Sequence, residues 1–219
     1  MAGWFFFMSD NLGRVDGLLQ MLHDAARGRF PDVDGEVTFL GPLDAGLEAV
    51  VSFTGHAVIA SRFGANAFFD LAPNGFGSAL DPRLLLRMAG DGEVGMIDVT
   101  LVSFGSGVDA LRPACDLDDH PRVAHARSLR SSVSVFADSD GLVTIGRGLA
   151  GRTEVSVELF GDRHGNGLGR RLIESAVGNV PEGQPVFAAV SPGNARSLRA
   201  FLAAGFVPIG SEVIVRPIT

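Results

Sequence analysis

An alternating strand pattern that runs directly into a glycine-rich turn and a helix constrains this chain more than any other feature. Over residues 153–159, apolar side chains alternate with polar ones (Val155, Val157 and Leu159 against Glu154, Ser156 and Glu158), which is typical of a β-strand. Glycines recur over residues 161–169, and helical apolar spacing begins at Leu168. Because glycine allows close backbone approach and a helix start offers unpaired N–H groups, this turn suits an anion such as a pyrophosphate.

Three interpretations of the turn were compared. A dinucleotide fingerprint requires Gly-x-Gly-x-x-Gly, but the sixth position from Gly165 is Arg170, and no acidic residue closes a following strand. A phosphate-binding P-loop requires Gly-Lys-Ser/Thr, and all 18 basic residues of this chain are Arg. An ordinary strand-to-helix loop, with glycines used for tight turning, stays open on the turn alone.

A second segment, residues 186–206, narrows the choice. An apolar run is followed by Asn194-x-x-Ser197-x-x-x-Phe201-x-x-x-Gly205-Phe206, and the turn itself reads His164-x-x-Gly167-x-Gly169. Together the two motifs resemble the signature segments of the GNAT superfamily of acyl-CoA-dependent N-acyltransferases. The resemblance covers residues 131–219 and extends weakly to about residue 93.

The resemblance implies where coenzyme A binds. In the family, the turn cradles the pyrophosphate, the preceding strand lines the pantetheine arm, and the second motif supplies an Asn near that arm. Two residues depart from the family: His164 stands where Arg or Gln is usual, and Phe201 stands where a Tyr near the thiol is common. The coenzyme-binding positions implied are Val157, Glu158, Leu159, His164, Gly165, Asn166, Gly167, Leu168, Gly169, Arg170, Asn194, Ser197 and Phe201.

The candidate catalytic bases are Glu154 and Glu158. Both share one strand face with Ser156, and a central strand covered by helices is apolar on both faces unless one face lines a cleft. The open alternative is that both glutamates pair with Arg147 or Arg152 across a half-exposed sheet.

The sequence predicts a mixed α+β fold. The resemblance implies a GNAT-type, mostly antiparallel sheet flanked by helices over residues 93–219, and residues 1–92 form an additional α+β unit of unknown role. The predicted strands cover residues 36–40, 47–53, 56–60, 96–104, 133–137, 142–146 and 154–159, and an apolar run covers residues 186–190. The predicted helices start near Leu12, Asp81, Val123 and Leu168.

Charge and composition exclude some classes of function. The chain of 219 residues has a formal net charge of −7, and residues 131–219 are balanced with eight Arg and eight Asp plus Glu. Without a basic stripe, we expect no nucleic-acid partner. The apolar patch near Met1 is too short to span a membrane and has no basic residues ahead of it; Met8 stays open as the true start. A lone Cys115 cannot form an internal disulfide, which favours a cytoplasmic location.

Acidic residues before a proline raise the question of a metal site. Asp116, Asp118, Asp119 and His120 could supply ligands, but a solvated loop before a helix is the favoured interpretation, and we predict no metal. The predicted function is an N-acetyltransferase that moves the acetyl group of acetyl-CoA to an unidentified amine acceptor. A non-catalytic acyl-CoA-binding module, a ligand-free scaffold and a homodimer stay open.

Overall fold

The computed structural model describes residues 16–108, 111–161 and 166–218. Its helices are α1 (Asp16–Ala26), α2 (Pro82–Ala89), α3 (Pro121–Leu129), α4 (Leu168–Gly178) and α5 (Ala195–Ala203). Its strands are β1 (Val37–Leu40), β2 (Glu48–Phe53), β3 (His56–Ala60), β4 (Glu93–Val94), β5 (Asp98–Phe104), β6 (Arg112–Pro113), β7 (Ser131–Ala137), β8 (Gly141–Arg147), β9 (Thr153–Leu159), β10 (Pro185–Val190) and β11 (Val207–Arg216). None of the helices within these described ranges is long and apolar enough to cross a membrane.

Two units make up the chain. The first unit contains residues 1–21, 30–96 and 212–219, and the second contains residues 22–29 and 97–211. Strand β11 contributes residues to both, so the units differ in composition from the continuous segments 1–92 and 93–219. The predicted division of the chain by function stays a prediction.

The first unit is built around the predicted hairpin. Its strand order is β1-β3-β2-β11, with β1 parallel to β3, and β4 pairs with β11. The hairpin β2–β3 turns at Gly55, which has a φ of 72°. Helix α2 begins as predicted, with Pro82 in its first turn and the Asp81 side chain accepting from the Arg83 N–H at 2.8 Å. Leu84 and Met88 of α2 pack in the core of this unit.

The second unit has the strand order β11-β5-β10-β9-β8-β7-β6. Strands β7, β8 and β9 are antiparallel neighbours, as are β5 and β10, whereas β9 and β10 are parallel. Val143 packs with residues of α4, whereas its neighbour Leu142 packs with Val123 of α3. Because successive residues of a strand point to opposite faces, α3 and α4 cover opposite faces of this sheet. The predicted mixed α+β class, with a mostly antiparallel sheet flanked by helices, is confirmed.

Helix α4 approaches the sheet closely because of one glycine. Gly141 lies opposite Leu159 in the β8–β9 register. A Cβ at Gly141 would come within 2.8 Å of Leu172 Cδ2 and 2.3 Å of the Glu158 carbonyl oxygen. The missing side chain therefore lets α4 pack directly over the last residues of β9.

Candidate functional site

The sheet opens between β9 and β10. Strand β8 pairs with the whole length of β9, and β5 pairs with the whole length of β10. Between β9 and β10, however, the parallel register consists of a single pair, Glu154 opposite Phe187. Residues 153–155 are buried, whereas residues 156–160 are only half-buried. Beyond Glu154, the edge of β9 that faces β10 therefore offers backbone N–H and C=O groups outside the sheet ladder.

Helix α4 begins just after β9 and has an uncapped N-terminus. Its N-cap residue Gly167 has a φ of 75°, and Asn166 before it has a φ of 51°. No side chain of the described residues caps α4, whereas Asp81, His120 and Asn194 cap α2, α3 and α5. Within the described part of the chain, no side chain accepts from the first N–H groups of α4, and the helix dipole favours negative charge at this end.

The space around Gly167 is open. A Cβ built there would meet only Arg171 Nη1, at 3.8 Å. Arg171 Nη1 donates to the Asn166 carbonyl oxygen at 2.9 Å, which holds the turn against the helix. The backbone conformation at position 167 therefore favours glycine, and among the described residues only Arg171 lies near the open side of the turn.

Glu154, one of the two candidate bases, is held by two arginines. Its carboxylate accepts from Arg130 Nε at 2.8 Å and from Arg152 Nη2 at 3.0 Å, and Arg130 Nη2 lies 2.6 Å from Oε1. The side chains of all three residues are at most 9% exposed. Arg152 also lies over the Phe187 ring, 5.1 Å from its centroid. Both carboxylate oxygens of Glu154 are therefore engaged, and the alternative pairing with Arg152 is observed.

The electrostatics of Glu154 follow from these contacts. Burial alone raises the pKa of Glu154, but the charges of Arg130 and Arg152 and their hydrogen bonds outweigh burial, so its pKa lies below the ordinary value. A carboxylate with a lowered pKa and no vacant oxygen is a poor proton acceptor. The geometry thus favours a structural role for Glu154, although its assignment as a base stays a prediction.

Arg130 continues the polar network along β9. Its Nη1 lies 3.3 Å from both Thr144 Oγ1 and Ser156 Oγ, and these two hydroxyls lie 2.7 Å apart. This network connects Glu154 to the half-buried end of the strand.

Glu158, the second candidate base, is more open. Its Oε2 accepts from Arg122 Nε at 3.0 Å, and the two side chains are 39% and 37% exposed. Arg147, which the sequence offered as a partner, instead donates to Thr153 Oγ1 at 3.1 Å. Of the two glutamates, Glu158 is the more exposed and has fewer hydrogen bonds from the described residues, and its assignment as a base stays a prediction.

The other predicted coenzyme positions are distributed unevenly. Val157, Leu159, Asn166, Gly167, Leu168 and Gly169 line the end of β9 and the start of α4, and a Cβ at Gly169 would make only ordinary contacts with Ala200 and Leu159. Arg170 is exposed and pairs with Glu174 at 2.7 Å. His164 and Gly165 lie outside the described residues.

The second motif lies at the start of α5. Asn194 accepts from the Ser197 N–H at 3.1 Å, so its side-chain oxygen caps the helix. Phe201 is only 4% exposed and packs edge-to-face against Phe206, with 5.0 Å between ring centroids. The contact of Phe201 with the coenzyme sulfur stays a prediction, and its burial in the core does not favour it.

Sequence reasoning missed Arg122 and Arg130. Both precede β7 in the chain. Arg122 contacts Glu158, which lies 36 residues further along the chain, and Arg130 contacts Glu154, which lies 24 residues further along. The sequence of β9 did indicate that basic partners exist, because charged residues on a strand face covered by a helix require partners of opposite charge. The sequence could not indicate which arginines supply them.

The segment before α3 that contains the acidic residues contacts and caps this helix. Asp118 pairs with Arg127 at 2.6 Å, and His120 Nδ1 accepts from the Arg122 N–H at 3.2 Å as the N-cap. Within residues 16–108, 111–161 and 166–218, no three His, Cys, Asp or Glu side chains form a group that could hold a metal ion.

Comparisons with known proteins give distant structural matches. A protein from Novosphingobium aromaticivorans, provisionally assigned as a GNAT-family acetyltransferase, matches 56% of this chain at 16% identity with a TM-score of 0.41. A conserved protein of unknown function from Staphylococcus epidermidis matches 63% of this chain and 68% of its own length at 15% identity, with a TM-score of 0.36. The match spans 63% of the Novosphingobium protein. No family profile and no curated protein matches the chain. Structural matches this distant do not indicate a function for this chain.

Proposed function

We propose that this protein is an N-acetyltransferase that uses acetyl-CoA and acts on an amine. The observation that carries the proposal is the uncapped N-terminus of α4 at the place where β9 separates from β10. An anion site beside an unpaired strand edge suits a ligand that joins a pyrophosphate to an extended amide-containing arm. The resemblance of the second motif, Asn194 to Phe206, supports the same coenzyme from a different segment of the chain.

The residues present fit the coenzyme in two parts. The first N–H groups of α4, with the open face of Gly167, would hold the pyrophosphate. The edge of β9 at Val157 and Leu159 would pair with the arm as an added strand does, which fixes the thioester relative to the acceptor. Acetyl-CoA supplies an activated acetyl group at its thioester carbon.

Glu158 acts as the general base in this proposal. Its half-exposed carboxylate lies on the polar face of β9, beyond the last pairing with β10. As the amine attacks, its N–C bond forms, the C–S bond breaks and the amine proton passes to Glu158. The coenzyme thiolate then takes a proton from water, which is feasible because a thiol has a pKa of about 8.5.

The alternative is a module that binds acyl-CoA without catalysis. The buried position of Phe201 favours it, since no proton donor stands at the position where the family usually has Tyr. Acetyl transfer to a panel of amines separates the two functions.

A substitution at Gly167 tests the coenzyme site. Gly167→Val should abolish the thermal stabilisation by acetyl-CoA, because a β-branched side chain disfavours a φ of 75° and fills the open side of the turn. Gly183→Val is the matched control, since Gly183 has a φ of 73° and open space around it but lies outside the site. A folded Gly167→Val protein that is stabilised as strongly as the wild type would refute the site.

A further inference from the structure

The Arg122–Glu158 pair has unused bonding capacity on both sides. Arg122 Nε donates to Glu158 Oε2 at 3.0 Å, and more than a third of each side chain is exposed. Among the residues that the structure describes, the two Nη groups of Arg122 and the Oε1 atom of Glu158 have no hydrogen-bond partner. The pair therefore presents a cationic fork next to a vacant carboxylate oxygen.

Helix α3 fixes the position of this fork. Arg122 lies in the first turn, where its own N–H is bound by the His120 cap, and Val123 is fully buried beside it. The stem of Arg122 is thus anchored at its base, while the guanidinium reaches β9. An anchored guanidinium loses less conformational entropy when it binds a ligand than a free surface arginine would.

The chemistry of the pair matches a zwitterion. A guanidinium binds a carboxylate through parallel N–H donors, and a carboxylate oxygen accepts from an amine. Because Arg122 and Glu158 are in direct contact, the two groups that they bind must be only a few bonds apart in the ligand. A polyamine would instead place a second cation against Arg122, which is unfavourable.

We propose that the amine acceptor is a free amino acid, with its carboxylate on Arg122 and its amino group at Glu158. This inference rests on the proposed acetyltransferase function and assigns the acceptor class for the same site. Arg122 is then a specificity-determining residue, and the product is an N-acetylated amino acid.

The experiment compares amino acids with the amines that lack only the carboxylate. L-phenylalanine is paired with phenethylamine, L-methionine with 3-(methylthio)propylamine and L-alanine with ethylamine. Each is incubated with acetyl-CoA, and both coenzyme A release and the acetylated product are measured. For at least one pair, kcat/KM for the amino acid should exceed that for its amine by about 10- to 100-fold, the range expected for a charge-assisted hydrogen-bonded contact.

Two variants separate recognition from catalysis. Arg122→Gln should remove most of this preference, chiefly through a higher KM for the amino acid, so that the ratio of kcat/KM for the amino acid to that for its amine falls towards one. Arg127→Gln is the control, because Arg127 lies on the same helix but pairs with Asp118; it should keep the preference.

The outcomes separate the acceptor assignment from the proposed acetyltransferase function on which it rests. If the amines are acetylated as well as the amino acids, or if Arg122→Gln keeps the preference, the acceptor assignment is wrong and the acetyltransferase function stands. If acetyl-CoA stabilises the protein but neither class is acetylated, both the acceptor assignment and the catalytic function fail.

Discussion

The two ends of β9 place the same residue type in different surroundings. At the start, Glu154 is buried, lies opposite Phe187 of β10 and binds two arginines. At the end, Glu158 is 39% exposed, lies where β10 no longer pairs and binds one arginine. Over four residues of one strand face, the carboxylate changes from one with both oxygens bonded to one whose Oε1 has no hydrogen-bond partner among the described residues. In the proposed function, the start of β9 stabilises the sheet and the end of β9 carries the base.

The strongest test of this contrast is the stability of Glu154→Gln. Removing the charge takes away the carboxylate that Arg130 and Arg152 share in a buried position, which should cost about 3–5 kcal/mol of the free energy of unfolding. Glu158→Gln should change stability by about 1 kcal/mol or less, because its pair is half-exposed. Urea denaturation measures both values.

Glu174→Gln is the control for that experiment. Glu174 forms an exposed pair with Arg170 on α4, and its loss should cost about 0.5 kcal/mol or less. Equal costs at positions 154 and 158 would remove the proposed division of β9.

The second test measures catalysis instead of stability. Glu158→Gln should lower kcat for amine acetylation by about 10²–10⁴-fold, the range for loss of a positioned base. The thermal shift produced by acetyl-CoA should remain, since the coenzyme contacts involve the backbone of β9 and α4. Wild-type turnover in this variant would place the base elsewhere.

The third and smallest effect concerns pH. Because the pKa of Glu154 lies below its ordinary value of 4.5 in the folded protein, its contribution to stability is fully present above that value. The contribution is lost as the pH falls from about 4.5 through the lowered pKa, since the unfolded chain takes up a proton first. The stability difference between wild type and Glu154→Gln should therefore narrow in acid. Denaturation curves at several pH values between about 3 and 7 test this, and a constant difference would contradict the assigned shift.

Local patterns predicted most of the elements. Alternation located β9 over residues 154–159, one residue short of its observed start, and the Asp81-Pro82 pair located the start of α2. Strand β11 was not predicted, because Pro208 and Gly210 interrupt its alternation. Its pairing depends on neighbours distant in sequence, which local propensity does not encode.

The sequence predicted only those parts of the candidate site whose residues are close together in the chain. The strand, the turn and the start of α4 follow one another in the chain, so their spacing carried the coenzyme hypothesis. The roles of Glu154 and Glu158 depend instead on Arg122, Arg130 and Arg152, of which only Arg152 is a near neighbour. These equivalent positions of the alternating pattern differ because β10 and two buried arginines approach Glu154, whereas one half-exposed arginine approaches Glu158.

The close contact between Gly148 and Glu154 limits how related sequences can vary at these two positions. A Cβ at this position would lie 2.2 Å from Glu154 Oε2 and 2.8 Å from its carboxyl carbon. A side chain at residue 148 is therefore compatible with the fold only when residue 154 is shorter, and either change made alone should destabilise the protein. Positions 148 and 154 should consequently change together, so that a pairwise substitution pattern in an alignment would report the buried ion pair without any structure.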